Sequence, residues 1–176
     1  MWDHRVGPAA AGADHVTMTS TPSVGILSTI VWATDGSPLS LGGSGFVREV
    51  CERYDSALRI VHVARHLSTQ ADERRIAQLK ALSASMRRHG VAASLHVVRG
   101  AIGSPAPHIA KVARMMGADV VVVTTRGRAP LTSALAGSTT LALIAEAPCP
   151  VLVLPAAHAV AFGGEPAVSP LRAASA

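Results

Sequence analysis

Apolar runs alternate with amphipathic stretches through the middle of this chain. Ile26 to Ala33 is a short apolar run closed by Thr34-Asp35-Gly36, which predicts a strand and then a turn. Phe46, Val47, Val50, Cys51 and Tyr54 follow at helical spacing, and Ala57 to Val63 reads as the next strand. Ile76, Leu79, Leu82 and Met86 share one helical face, which stops at His89-Gly90. Ala92 to Val98 predicts a third strand. Pro105 opens a helix bearing Ile109, Val112, Ala113 and Met116, stopped at Gly117. Val120 to Val123 is a fourth strand. Ser138 to Glu146 is a short helix carrying Leu141 and Ile144, and Val151 to Leu154 is a last strand between Pro150 and Pro155.

Strict alternation of strand and helix predicts an α/β fold, a single parallel sheet with helices on both faces. Val120 to Val123, apolar at every position, suits a strand buried on both faces. Right-handed crossovers nearly fix the wrap. In such sheets the ligand crevice lies beyond the carboxyl ends of the strands, where strand order reverses. The pattern divides the chain into a flexible leader (1–23), one α/β domain (24–155) and a flexible tail (156–176), the arms being polar or punctuated by Gly and Pro without period.

Composition narrows the class. Hydrophobic residues make up 49% of 176 and charged residues 15%, enough for a core and too little charge for a disordered chain. Aromatics are 3%, so the core is aliphatic. The net charge is +5, but the arginines are scattered and no aromatics interleave with them, which argues against nucleic acid. Cys51 and Cys149 make no disulfide framework. No segment is long and apolar enough for a membrane span or a signal core, so the expectation is a reduced, cytoplasmic protein.

The residues just after the strands carry the candidate chemistry. Asp35 is an acceptor at a strand end, suited to a ribose hydroxyl or base amine, and equally suited to capping the next helix. The backbone of Val63 can face an adenine edge. His62 reads as an interior strand histidine; it and His66 have no third metal ligand at a sensible spacing. The richest segment runs from Thr124 to Thr139. Gly127 and Gly137 permit close backbone approach. Ser138 and Thr139 offer amides and hydroxyls at a helix N-terminus, and Arg126 and Arg128 supply charge-assisted contacts to phosphate oxygens. Singly, these are a loop glycine and a helix cap; together, after a buried parallel strand, they favour a phosphate cradle.

Between Ile26 and Leu154 the sequence resembles the universal stress protein family. The resemblance rests on Ala33-Thr34-Asp35-Gly36-Ser37 with Ser40, on Val61-His62-Val63, on Gly103-Ser104-Pro105 with Gly117-Ala118-Asp119, and on Ala147 to Leu154. The family's ATP-binding branch carries Gly, two residues, Gly, nine residues, then Gly-Ser or Gly-Thr. Gly127 and Gly137-Ser138 fit that spacing; Thr124 stands where the first glycine belongs, where a side chain narrows the approach to the phosphates while its hydroxyl can hydrogen-bond one of them. The resemblance implies a five-stranded sheet in the order 3-2-1-4-5 and a homodimer joined through Val151–Leu154. It also implies ATP, with Mg2+ alongside, as ligand. Asp35 and the Val63 backbone would hold the adenosine, and Gly127, Gly137, Ser138 and Thr139 the phosphates.

Three functions follow in order: a nucleotide-binding regulator of the stress response acting on a protein partner, a nucleotide-free interaction protein in which Thr124 marks a closed site, and a slow ATPase. Catalysis ranks last. No Gly-Lys-Ser/Thr loop exists, and Gly103-Ser104 lacks the second glycine of a serine-hydrolase elbow. A phosphoacceptor receiver domain is excluded because strand three ends at Val98-Arg99-Gly100, without the acid that chemistry needs, and Pro155 follows strand five where a lysine belongs.

Overall fold

The computed structural model describes residues 26–64, 69–100, 103–125 and 138–155. The expected arms lie outside these residues. Five strands, β1 (Thr29–Ala33), β2 (Ala57–Ala64), β3 (Ala93–Arg99), β4 (Val120–Thr125) and β5 (Val151–Pro155), form one sheet in the order β3-β2-β1-β4-β5. Every pairing is parallel. The strand order reverses between β1 and β4, so the crevice beyond their carboxyl ends is the place a ligand would enter.

Strand periodicity sorts the core into two layers. Ile30, Trp32, Leu58, Ile60, Val120 and Val122 point to one face, where they meet Val47 and Cys51 of α2 (Ser44–Tyr54) and Leu79, Leu82 and Met86 of α3 (Gln70–Arg88). Val31, Ala33, Val61, Val121 and Val123 point to the other. There they meet Ile109, Ala110 and Ala113 of α4 (Ala106–Met115) and Leu143 of α5 (Ser138–Glu146). Among the described residues, no helix is long and apolar enough to cross a membrane.

Three details depart from the pattern reading. β1 starts at Thr29, and Ile26 is 87% exposed. The strand is pinned at its start by Asp119, whose carboxylate accepts from Thr29 N (2.8 Å) and whose amide donates to Thr29 O (2.9 Å). The first crossover holds two helices, because a single turn, α1 (Pro38–Leu41), precedes α2. Ser37 caps α1, its side chain accepting from Ser40 N, Pro38 follows at the first helical position, and the Gly42-Gly43 pair separates the two helices. Finally, α5 buries Leu143 and Thr140 while Leu141 and Ile144 are exposed; its inward stripe is narrower than its composition suggests.

Candidate crevice at the carboxyl ends of the strands

The turn after β1 is held by its own side chains. Thr34 N donates to Val61 O (3.0 Å), extending the sheet by one bond. Thr34 Oγ1 accepts from Gly36 N (3.1 Å) and lies 2.8 Å from Ser40 Oγ, which donates to Ser37 O (3.0 Å). Since Ser40 has given its proton to Ser37, the Thr34 hydroxyl is the donor in their bond. Gly36 is buried and has φ +72, with Arg75 Cβ 3.5 Å from where a side chain would begin. α3 thus packs on a turn that only glycine enters without strain.

Asp35 sits on top of this braced turn. Its carboxylate is exposed, and Oδ1 accepts from Ser37 N (2.9 Å). Capping of α1 falls to Ser37. That separates the two roles read for Asp35, a ligand acceptor or a helix cap: the cap position is taken by its neighbour.

β2 runs past the end of β1. Pairing between them ends at Ala33 with Val61, and His62, Val63 and Ala64 continue beside β3. Ala64 O accepts from Gly100 N (2.9 Å) on the β3 side. Successive peptide groups of a strand face opposite sides, so the Val63 carbonyl faces the side that β1 has vacated. Gly100 seats this residue closely: a Cβ on Gly100 would come within 2.5 Å of Val63 Cγ1.

Two supporting residues were not assigned this role from sequence. His62, 3% exposed, donates from Nδ1 to Thr34 O (3.0 Å), while its Nε2 is buried without a partner among the described residues. The donor assignment follows because a carbonyl only accepts. A histidine near the end of a strand beside an Asp-Gly turn was the available signal, but its partner is 28 residues away in sequence. Gly43 is the other. A Cβ there would lie 3.2 Å from both Thr124 Oγ1 and Leu154 Cδ1.

Thr124 turns its side chain into this same α1–α2 corner. Its hydroxyl donates to Ser40 O (3.3 Å). The end of β4 is thereby tied to the turn after β1, across the point where strand order reverses. Ser138 and Thr139 open α5, and Thr139 is half-buried. Arg126, Gly127, Arg128 and Gly137 lie outside the described residues. Among the described residues no group of His, Cys, Asp and Glu could hold a metal ion.

A parallel sheet in this order, with an acceptor-rich turn at its reversal point, is the setting in which comparison with known proteins becomes informative. The model of the universal stress protein family matches residues 27–155. The chain belongs to the universal stress protein family. No curated protein sequence matches it. Among solved structures, a universal stress protein in complex with cAMP has a TM-score of 0.60 at 21% identity, covering 74% of this chain and 98% of that one. A universal stress protein from Archaeoglobus fulgidus in complex with dAMP gives 0.56 at 20%, covering 73% and 98%. An Arabidopsis thaliana member with AMP bound gives 0.53 at 17%, covering 73% and 91%. At these identities the likeness establishes the fold of this universal stress protein.

Proposed function

We propose that this universal stress protein is an adenine-nucleotide-binding regulatory module of the stress response, with ATP as its ligand and Mg2+ accompanying the phosphates. The observation that carries the reading is the pairing of two acceptors at the reversal point: the exposed Asp35 carboxylate and the Val63 carbonyl directed past the end of β1. A carboxylate accepts from ribose hydroxyls and a carbonyl from an adenine amine, so the described residues fit the adenosine half. The three similar structures are complexes with cAMP, dAMP and AMP, which supports the same class here. Arg126, Gly127, Arg128, Gly137, Ser138 and Thr139 are the groups proposed for the phosphates, with Thr124 at the root of that segment.

Regulation requires that a partner distinguish the loaded from the empty protein. We infer a cytoplasmic homodimer joined through Val151–Leu154. In support, β5 is an edge strand paired to β4 on one side, and Leu152 is 38% exposed; an open edge of this kind is a template for pairing.

The nucleotide-free interaction protein is kept as a second reading for one reason. The Thr124 hydroxyl proton is committed to Ser40 O, so the residue replacing the family's first glycine brings no donor to a phosphate. The two readings separate in thermal-shift and dialysis experiments with ATP, ADP, AMP and cAMP. At a hundredfold excess over Kd, a bound nucleotide stabilises the fold by about 2.7 kcal/mol. Absence of any shift, with no nucleotide released on denaturation, would establish the second reading.

A further inference from the structure

Away from the crevice, on the α4 side of the sheet, three polar groups meet between β2 and β3. Arg59 and Ser94 are direct cross-strand partners, and His96 lies on the same face two positions along β3. All three are half-buried. Arg59 Nη1 donates to Ser94 Oγ at 3.0 Å, and Ser94 Oγ lies 3.0 Å from His96 Nε2. The guanidinium cannot accept, so Ser94 accepts from Arg59; the direction of its bond to His96 Nε2 follows the ring tautomer. Burial, with the Arg59 charge second, holds the His96 pKa below the usual value.

The charge on Arg59 has no ion-pair partner among the described residues. Ion pairs among the described residues join Arg48 to Glu52 and Arg75 to Asp72, and neither involves Arg59. Among the described residues its one hydrogen bond is to a neutral hydroxyl, which leaves its other N–H donors without a protein acceptor there. Half-burying an arginine on a sheet face without a carboxylate carries a desolvation cost, and an anion removes that cost.

We propose that Arg59, Ser94 and His96 form a second anion site, which takes the phosphoryl group of a phosphate monoester or of free phosphate. Arg59 Nη1 and His96 Nε2 both bond to Ser94 Oγ, so a tetrahedral anion seated beside that hydroxyl lies within reach of all three groups. Arg59 offers a fork of donors that fits phosphate oxygens. The Ser94 O–H can turn to the anion, and His96 Nε2, which faces the same hydroxyl, donates to the anion when it carries the ring proton. A planar carboxylate engages the fork but reaches fewer of the remaining groups. The site is independent of the adenosine crevice: Arg59 precedes Val63 by four residues of extended strand, about 13 Å.

The test is a titration of the full chain with inorganic phosphate at fixed neutral pH and ionic strength, followed by NMR of the histidine rings and backbone amides, with chloride and acetate as controls. The expected result is a saturable shift of His96 and of the Arg59 and Ser94 amides at millimolar phosphate, several-fold weaker with acetate. Arg59→Gln abolishes the His96 shift while its amide spectrum stays dispersed. If that variant does not fold, Ser94→Ala should weaken phosphate several-fold in its place. A His96 response that never saturates, that acetate matches, or that survives Arg59→Gln overturns the proposal. So does a phosphate response confined to the strand ends around Asp35. A phosphate titration that maps to His96 while a monoester such as glycerol phosphate has no effect there assigns the site to the free ion.

Discussion

The Thr124 hydroxyl donates to the Ser40 carbonyl at 3.3 Å, so the strand that leads into the glycine-rich segment is fastened to the turn that carries Asp35. Through Ser40 the link continues to Thr34, and through the Thr34 carbonyl to His62. The ends of β4, β1 and β2 are joined by one set of hydrogen bonds. A substitution in any member is therefore expected to act on both halves of the crevice.

Thr124→Val removes the donor and keeps the shape. It should cost about 1 kcal/mol, the net worth of one hydrogen bond, read as a lower midpoint in urea. If Thr124 braces the site without touching phosphate, ATP affinity in this variant falls by less than about tenfold, equivalent to less than about 1.4 kcal/mol. A complete loss of binding in a folded variant would make the hydroxyl a ligand group.

His62→Phe removes the donor to Thr34 O and leaves that buried carbonyl short of a partner. The expected cost is about 1–3 kcal/mol, partly offset because the unpartnered Nε2 is removed as well. Denaturant unfolding measures the stability, and nucleotide titration should show weaker binding without a change in stoichiometry.

Gly100→Ala places a Cβ within 2.5 Å of Val63 Cγ1. Val63 is β-branched and sits in a paired strand, so it cannot swing clear by a rotamer change alone. Overpacking of this kind costs about 1–3 kcal/mol. The displaced Val63 backbone should also weaken adenosine-containing ligands more than inorganic phosphate, which competition experiments resolve.

The thiols should be unreactive in the folded protein. Burial, with the neighbouring Glu52 carboxylate second, pushes Cys51 from the ordinary value of 9.0 up to about 12; Cys149 is raised as well, by burial first and Asp119 second. With Cys51 protonated to higher pH in the folded state than in the unfolded one, the folded protein holds more protons between those two values. Stability therefore falls as pH rises from 9.0 towards 12. Alkylation near pH 8 should reach the half-buried Cys149 slowly and Cys51 only on unfolding. Rapid labelling of Cys51 in the native state would contradict its placement.

The alternation of runs such as Val120–Val123 with helical stretches determines a parallel sheet, and that part of the fold was legible because burial on both faces leaves a continuous apolar signature. The strand order came from resemblance, and the observed order β3-β2-β1-β4-β5 agrees with it. Asp35 and Val63 were legible as strand-end residues. Their supports were less so. The Thr124–Ser40 and His62–Thr34 bonds join residues 84 and 28 positions apart, and no local period encodes such a pair. The extra turn α1 was obscured because four residues carry no helical period of their own, and it shows only where Ser40 N bonds back to Ser37. The outward side of α5 was misleading for the opposite reason, since Leu141 and Ile144 are apolar yet exposed.

The central claim is that an adenine nucleotide is held at the reversal point by the acceptors after β1 and β2. Calorimetric titration of ATP into the full chain and into Asp35→Ala tests it most directly. The account predicts a saturable heat for the unaltered protein and at least about a tenfold weaker Kd for the variant, a loss of about 1.4 kcal/mol, in a variant that still unfolds cooperatively. No heat with the unaltered protein, or equal affinity in Asp35→Ala, would contradict it.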